Sequence, residues 1–262
     1  GNLYFSTVGK CWRSDGTEEG TVSFSDGHCT YFGSLGDTLF FATDSEDYGW
    51  ELHSYDGSSE PVIVKDIWDE KNSLGDPMDG IDPNNINTPQ LWPISVNDEF
   101  LLFTARNESG NSELWRTDGT EDGTYMVKDI NTNGESQPGF YFPLDEDRVL
   151  FNAKSGSARQ LWITDGTEVG TYLVEDINPD ADAMVQWFTR HNDQVYFMAK
   201  TGNYQDSPRE IWTTDGTQAG TYAITNPNDF HLLTPAMPLG DILIFKGDTQ
   251  EYGEELYKYN PA

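Results

Sequence analysis

Residues 114–130 read LWRTDGTEDGTYMVKDI, and residues 161–177 read LWITDGTEVGTYLVEDI. Two stretches so alike in one chain make internal repetition the first thing to trace. The pattern returns as CWRSDGTEEGTVSFSD from Cys11, LHSYDGSSEPVIVKD from Leu52 and IWTTDGTQAGTYAITN from Ile211. A degenerate copy, LYKYNPA, starts at Leu256. The anchor aspartates are Asp15, Asp56, Asp118, Asp165 and Asp215, with Asn260 in the sixth copy; they follow one another at 41, 62, 47, 50 and 45 residues.

A second piece precedes each anchor: GNLYF at Gly1, DTLFF at Asp37, DEFLLF at Asp98, DRVLF at Asp147, DQVYF at Asp193 and DILIF at Asp241. Phe5, Phe41, Phe103, Phe151, Phe197 and Phe245 share one repeat position. A third piece (FGSLG, WPISVN, FPLDE, FTRHN, and more loosely TPAMPLG) comes before that. All are short, rich in aromatic and aliphatic residues, and bounded by Gly, Asn, Asp and Pro, which marks strands. No segment carries a helical period. One repeat is therefore four strands, A (FGSLG type), B (LFF type), C (ELW type) and D (GTYMVKD type). Units of this size that must stack on their neighbours to bury both faces predict an all-β, six-bladed β-propeller of four-stranded blades, with residues 1–262 as a single domain. Because no A strand precedes Gly1 and no D strand follows Leu256, a five-bladed ring stays open as the alternative. GNLYFS at the start resembles a protease-tag remnant but fits the repeat as strand B.

The C–D turn reads Asp-Gly-Thr-x-x-Gly-Thr. Its first Gly supplies a positive φ, and its Asp and Thr side chains can bond nearby backbone. A self-satisfied loop is expected at Asp15, Asp118, Asp165 and Asp215, because one carboxylate per turn falls short of the six to eight oxygens that calcium takes. A second acidic position closes strand D, at Asp26, Asp66, Asp129 and Asp176, with Asn226 in the fifth copy. It reads as a cap on the D–A connection, with a per-blade cation site as the sharper alternative.

At these residues the chain resembles the ELWxTDGTxxGT-repeat proteins, a secreted bacterial type, and its blade layout is similar to that of TolB-like propellers. The resemblance implies a propeller in a secreted or cell-surface setting and carries over no catalytic set. Tyr55 and Tyr259 replace the Thr of the pattern, and the last copy lacks DGT.

The formal charge is −30, from 45 acidic and 15 basic side chains. Such a surface repels phosphate backbones and anionic lipid heads, which argues against nucleic acid and membrane-surface partners. It suits either a solvated surface or cation binding. No apolar run of about 18 residues is present, so no membrane insertion is expected, and no signal peptide is visible. Cys11 and Cys29 are expected to pair as a disulfide, which implies an oxidising compartment.

B–C and D–A loops share one face of a propeller, and here they vary while the C–D turns are regular. Variable loops on a rigid scaffold carry binding. The longest starts at Trp68 and holds Asp76, Asp79 and Asp82, a spacing that makes calcium a possible cofactor without matching an EF-hand. Trp12, Trp115, Trp162 and Trp212 share a repeat position and read as inter-blade core. Trp50, Trp68, Tyr48, Tyr204 and Tyr252 fall near the variable loops and are the candidate ligand-binding aromatics, suited to sugars. Of four histidines none has metal-ligand spacing. Arg190 with His191 would suit proton abstraction from an acidic sugar, against a bland reading as surface residues of an A–B turn. The expected function is an extracellular, non-enzymatic binding or adhesion module for a glycan or cell-surface polymer, possible calcium assistance included. The alternatives are a polysaccharide lyase or calcium-dependent hydrolase, and a structural part of a larger extracellular assembly.

Overall fold

A computed structural model describes residues 1–74, 78–81, 93–202, 207–226, 231–249 and 251–261. Every element among them is a strand. By packing, the chain divides into two compact units, Gly1–Tyr141 and Phe142–Ala262.

In the first unit, β1 (Leu3–Thr7), β2 (Lys10–Ser14) and β3 (Val22–Asp26) form a three-stranded sheet. The second sheet is β4 (Cys29–Leu35), β5 (Thr38–Ser45), β6 (Gly49–Tyr55) and β7 (Val62–Lys65). The third is β8 (Ile94–Val96), β9 (Phe100–Arg106), β10 (Ser112–Thr117) and β11 (Tyr125–Lys128). The fourth is β12 (Gly139–Pro143), inside which the division falls, with β13 (Val149–Ser155), β14 (Ala158–Thr164) and β15 (Tyr172–Glu175). The second unit continues with β16 (Gln186–His191), β17 (Gln194–Ala199), β18 (Glu210–Thr214) and β19 (Tyr222–Ala223). In the last sheet β22 (Ile242–Thr249) lies between β23 (Gly253–Tyr259) on one side and β20 (His231–Leu232) with β21 (Met237–Leu239) on the other. Strands two to four of each complete sheet are joined as antiparallel neighbours in chain order.

The B–C hairpin register is the one the repeat implies. Phe5 faces Trp12, Phe41 faces His53, Phe103 faces Trp115, Phe151 faces Trp162, Phe197 faces Trp212 and Phe245 faces Tyr257. A β-bulge recurs between strands C and D just before that position, at Cys11/Trp12, Leu52/His53, Leu114/Trp115 and Leu161/Trp162. Such a bulge raises local twist, and its repetition gives successive sheets the same shape.

Alternation along the B strands explains why their sequences are apolar on both sides. On β5, Leu39 and Phe41 pack with Cys11, Phe24 and Cys29, while Phe40 and Ala42 pack with Leu101, Phe103 and Trp115. On β17, Val195, Phe197 and Ala199 join Leu150 and Leu161, while Tyr196 and Met198 join Leu243 and Phe245. Each middle sheet is thus sandwiched within its unit. Meander sheets of four strands stacked face against face are β-propeller blades. The Cys11–Cys29 disulfide ties β2 to β4 with a Cα–Cα separation of 5.6 Å.

Candidate functional site

The DGT turns use their polar atoms internally. In the third sheet the Thr120 N–H and hydroxyl both donate to Asp118 Oδ1, at 2.9 and 2.6 Å. The Gly123 N–H donates to the Thr120 hydroxyl, and the Thr124 hydroxyl donates to the Thr120 carbonyl at 2.6 Å. The Gly119 N–H reaches the Thr117 hydroxyl, which lies 2.6 Å from that of Thr124. Asp15, Asp165 and Asp215 repeat this network with Thr17, Thr167 and Thr217. Asp56 accepts instead from Ser58 and Ser59. These bonds hold the carboxyls of Asp15, Asp56, Asp118 and Asp215 below the ordinary carboxylate range. Both glycines are explained: Gly119 has φ +93°, and a Cβ on Gly123 would overlap the Asp118 carboxylate.

Three D–A connections are held by side chains that sequence reasoning passed over, the first residue of the ELW-type triplet in the second, third and fourth sheets; its counterpart Glu210 accepts instead from the Thr201 hydroxyl and the Trp212 indole. Glu51 is fully buried and accepts from the N–H groups of Ile67 (3.0 Å) and Gly80 (2.8 Å). Glu113, equally buried, accepts from Ile130 N–H and from both the N–H and hydroxyl of Ser136. Gln160 accepts from Asn178 N–H and donates to the Asn178 carbonyl. Burial pushes the Glu51 carboxyl up to about 8, and raises Glu113 and Glu210 in the same direction. The signal was available as a Glu or Gln in register at positions 51, 113, 160 and 210. The aspartates expected to cap these connections do not share that role. Asp26 pairs with Lys10 on the surface, Asp129 and Asp176 are exposed, and Asp66 Oδ1 is buried without a hydrogen-bond partner. A buried carboxylate at the start of strand C reaches backbone N–H groups that a surface Asp at the end of strand D cannot.

Between the second and third sheets, inside the first unit, lies a groove of about 560 Å³. Its walls are the end of β7 and the start of its D–A connection (Lys65, Asp66, Trp68, Asp69), the B–C loop of the third sheet (Asn107, Glu108), and Trp115 and Tyr125. The two loop types expected on one face do meet here. Arg106 of β9 anchors the far part of the connection: its guanidinium donates to the Asp79 carbonyl at 3.2 Å and stands 5.9 Å from the Trp68 ring centre. The Trp68 ring edge lies under Gly110, where an added Cβ would come within 2.9 Å. Three buried polar atoms on this wall have no hydrogen-bond partner: Asp66 Oδ1, Trp68 Nε1 and Trp115 Nε1. At the equivalent position in other sheets, Trp12 donates to Thr7 and Trp212 to Glu210, while Trp162 Nε1, away from this groove, is likewise buried without a partner. Buried polar atoms are normally paired, so three orphans on one groove are informative.

The other candidates are scattered. Trp50 is packed into the core between the second and third sheets and lies 5.9 Å from His28. Tyr48 and Tyr252 are exposed, each with its N–H capped by a hydroxyl three residues earlier, and neither lines the groove. Tyr204, Asp76 and Asp82 lie outside the described residues. The Asp79 carboxylate accepts from Trp50 N–H at 3.1 Å and stands 4.0 Å from Arg106. Among the described residues no three His, Cys, Asp or Glu side chains converge as a metal site. His191 is not the surface residue expected of its turn. It is 4% exposed with Nε2 unpartnered, and Arg190 donates to the carbonyls of Pro143 and Leu144.

No protein-family profile and no curated protein sequence matches the chain. Solved structures do. TolB from Acinetobacter baumannii aligns over 98% of this chain and 65% of its own, at 10% identity and a TM-score of 0.47. Prolyl oligopeptidase B from Galerina marginata aligns over 99% of this chain and 40% of its own, at 12% identity and 0.54. A puromycin hydrolase aligns over 99% and 42%, at 11% identity and 0.50. The chain thus spans less than two thirds of each of these. At such identity the likeness speaks to fold alone. Among the described residues no helix is long and apolar enough to cross a membrane.

Proposed function

We propose that this protein is a non-enzymatic binding module whose six sheets serve as the blades of one propeller domain, and that the groove beneath Trp68 holds a segment of a glycan. The observation that carries this reading is the set of orphaned atoms, Trp68 Nε1, Trp115 Nε1 and Asp66 Oδ1, beside aromatic rings. An unpaired buried polar atom costs about 1–3 kcal/mol. A sugar offers what the groove lacks: hydroxyls that both donate and accept, next to an apolar face that stacks on an aromatic ring. The Cys11–Cys29 disulfide suits a secreted, periplasmic or cell-surface location. Calcium is given no role in this groove. The lyase alternative draws no support from Arg190 and His191, whose polar atoms are held or buried.

Titration calorimetry with a panel of neutral and charged hexasaccharides tests the reading. At least one should bind, and Trp68→Ala should weaken it about tenfold or more, equivalent to roughly 1.4 kcal/mol, while leaving the melting temperature within a few degrees of wild type. Binding unaffected by Trp68→Ala, or no binding by any member, contradicts it.

A further inference from the structure

The groove carries negative charge that a neutral sugar would leave uncompensated. Asp66, Asp69 and Glu108 all line it. The lysine on its wall, Lys65, has its ammonium engaged elsewhere, donating to the carbonyls of Thr124 at 2.8 Å and Glu121 at 3.3 Å. Asp66 Oδ1 is buried and unpartnered. Burial first, and then the neighbouring charge of Asp69, push the Asp66 carboxyl up. Two carboxylates crowding one another are relieved by a cation placed between them. Trp115, only 7% exposed, adds an indole N–H with no acceptor. The rings of Trp68 and Tyr125 already draw cations, with the Arg106 guanidinium 5.9 Å from one and that of Arg116 5.5 Å from the other. The surface at large, at −30, draws cations in and turns uronates away. Three convergent carboxylates would also suit a metal ion, but these three do not converge as one. A ligand that carries an ammonium and a hydroxyl on adjacent carbons of one ring meets every one of these features: the ammonium answers the carboxylates, the hydroxyl accepts from the indole, and the ring stacks.

We infer that the groove recognises an amine-bearing glycan, a chain of deacetylated amino sugars whose protonated amino group sits against Asp66 and Asp69. The inference rests on the proposal that the groove is a glycan site, and its test separates the two. The full chain is titrated calorimetrically with a β-1,4-linked glucosamine hexamer and with the fully N-acetylated hexamer, at low and at moderate salt. The glucosamine hexamer should bind about tenfold or more tightly than its acetylated counterpart, with the preference shrinking as salt rises. Asp66→Asn and Asp69→Asn should each reduce that preference. Asp69 is exposed, so its variant keeps the test valid if the Asp66 variant fails to fold. Equal binding of both hexamers, lost in Trp68→Ala, overturns the charge inference and leaves the glycan site standing. Failure of both hexamers and of every other sugar overturns both readings. Binding of a lysine hexapeptide but of no sugar also overturns both, and assigns the groove to basic peptides.

Discussion

Glu51 shows how far one buried side chain reaches. Its carboxyl closes the start and the end of the described D–A connection at once, through Ile67 N–H and Gly80 N–H. Its folded pKa lies near 8 against an ordinary 4.5. A carboxyl raised in this way contributes stability that is fully present below about 4.5 and lost as pH climbs through 8. Urea midpoints should therefore fall between pH 5 and pH 9, and Glu51→Gln should flatten that decline. Gln160, which does the same job in the fourth sheet without a charge, shows that the exchange is sterically sound. A midpoint in Glu51→Gln that falls as steeply as wild type would contradict the assignment. The turn aspartates act in the opposite sense. Asp15, Asp56, Asp118 and Asp215 are held below their ordinary range, so what they contribute is present above about pH 4 and fades as pH drops further. Asn at all four positions should make the acid limb of a thermal-melt profile shallower.

At the scale of elements, the B–C hairpins were legible from sequence almost to the residue, because a two-residue period with a large aromatic at a fixed place leaves one register that buries it. Phe103 is buried to within 1% and faces Trp115; Phe103→Ala should cost about 3–5 kcal/mol by chemical denaturation. The disulfide was legible too, since the chain has two cysteines and both flank one strand D. Replacing Cys11 and Cys29 together by Ala should lower stability by roughly 3 kcal/mol in the loop-entropy account, as an unchanged denaturation midpoint would refute. The second Gly of the turn was not legible, because its cause is the Asp118 carboxylate folding back over it. Nor was the burial of Glu51, Glu113 and Glu210. Composition places glutamate outside; D–A backbone 16 or more residues away draws in Glu51 and Glu113, and the Thr201 hydroxyl with the Trp212 indole holds Glu210.

At the scale of the molecule, repetition settled the fold class, and the candidate groove lies where loops that vary between repeats meet. Four sheets use the C-strand position for Trp, and two of those indoles, in the first and fifth sheets, find partners inside their own sheet. Trp115 and Trp162 do not, and of the four only Trp115 lines the groove under Trp68. Sequence reasoning singled out Trp68 by its place beside a variable loop but sorted Trp115 with the core. Trp115 belongs to both, since it packs in the core cluster and also lines the groove. Tyr48 and Tyr252 were grouped with Trp68 as loop aromatics because such residues look alike in a sequence; neither lines this groove. The most direct test follows the indole N–H resonances of the eight tryptophans in a nitrogen-15 correlation spectrum while a glucosamine hexamer is added. The Trp68 and Trp115 signals should move in a saturable way as they gain acceptors, with those of Trp12 and Trp212 unmoved. A spectrum unchanged at saturating sugar, or one in which only other indoles respond, would contradict the account.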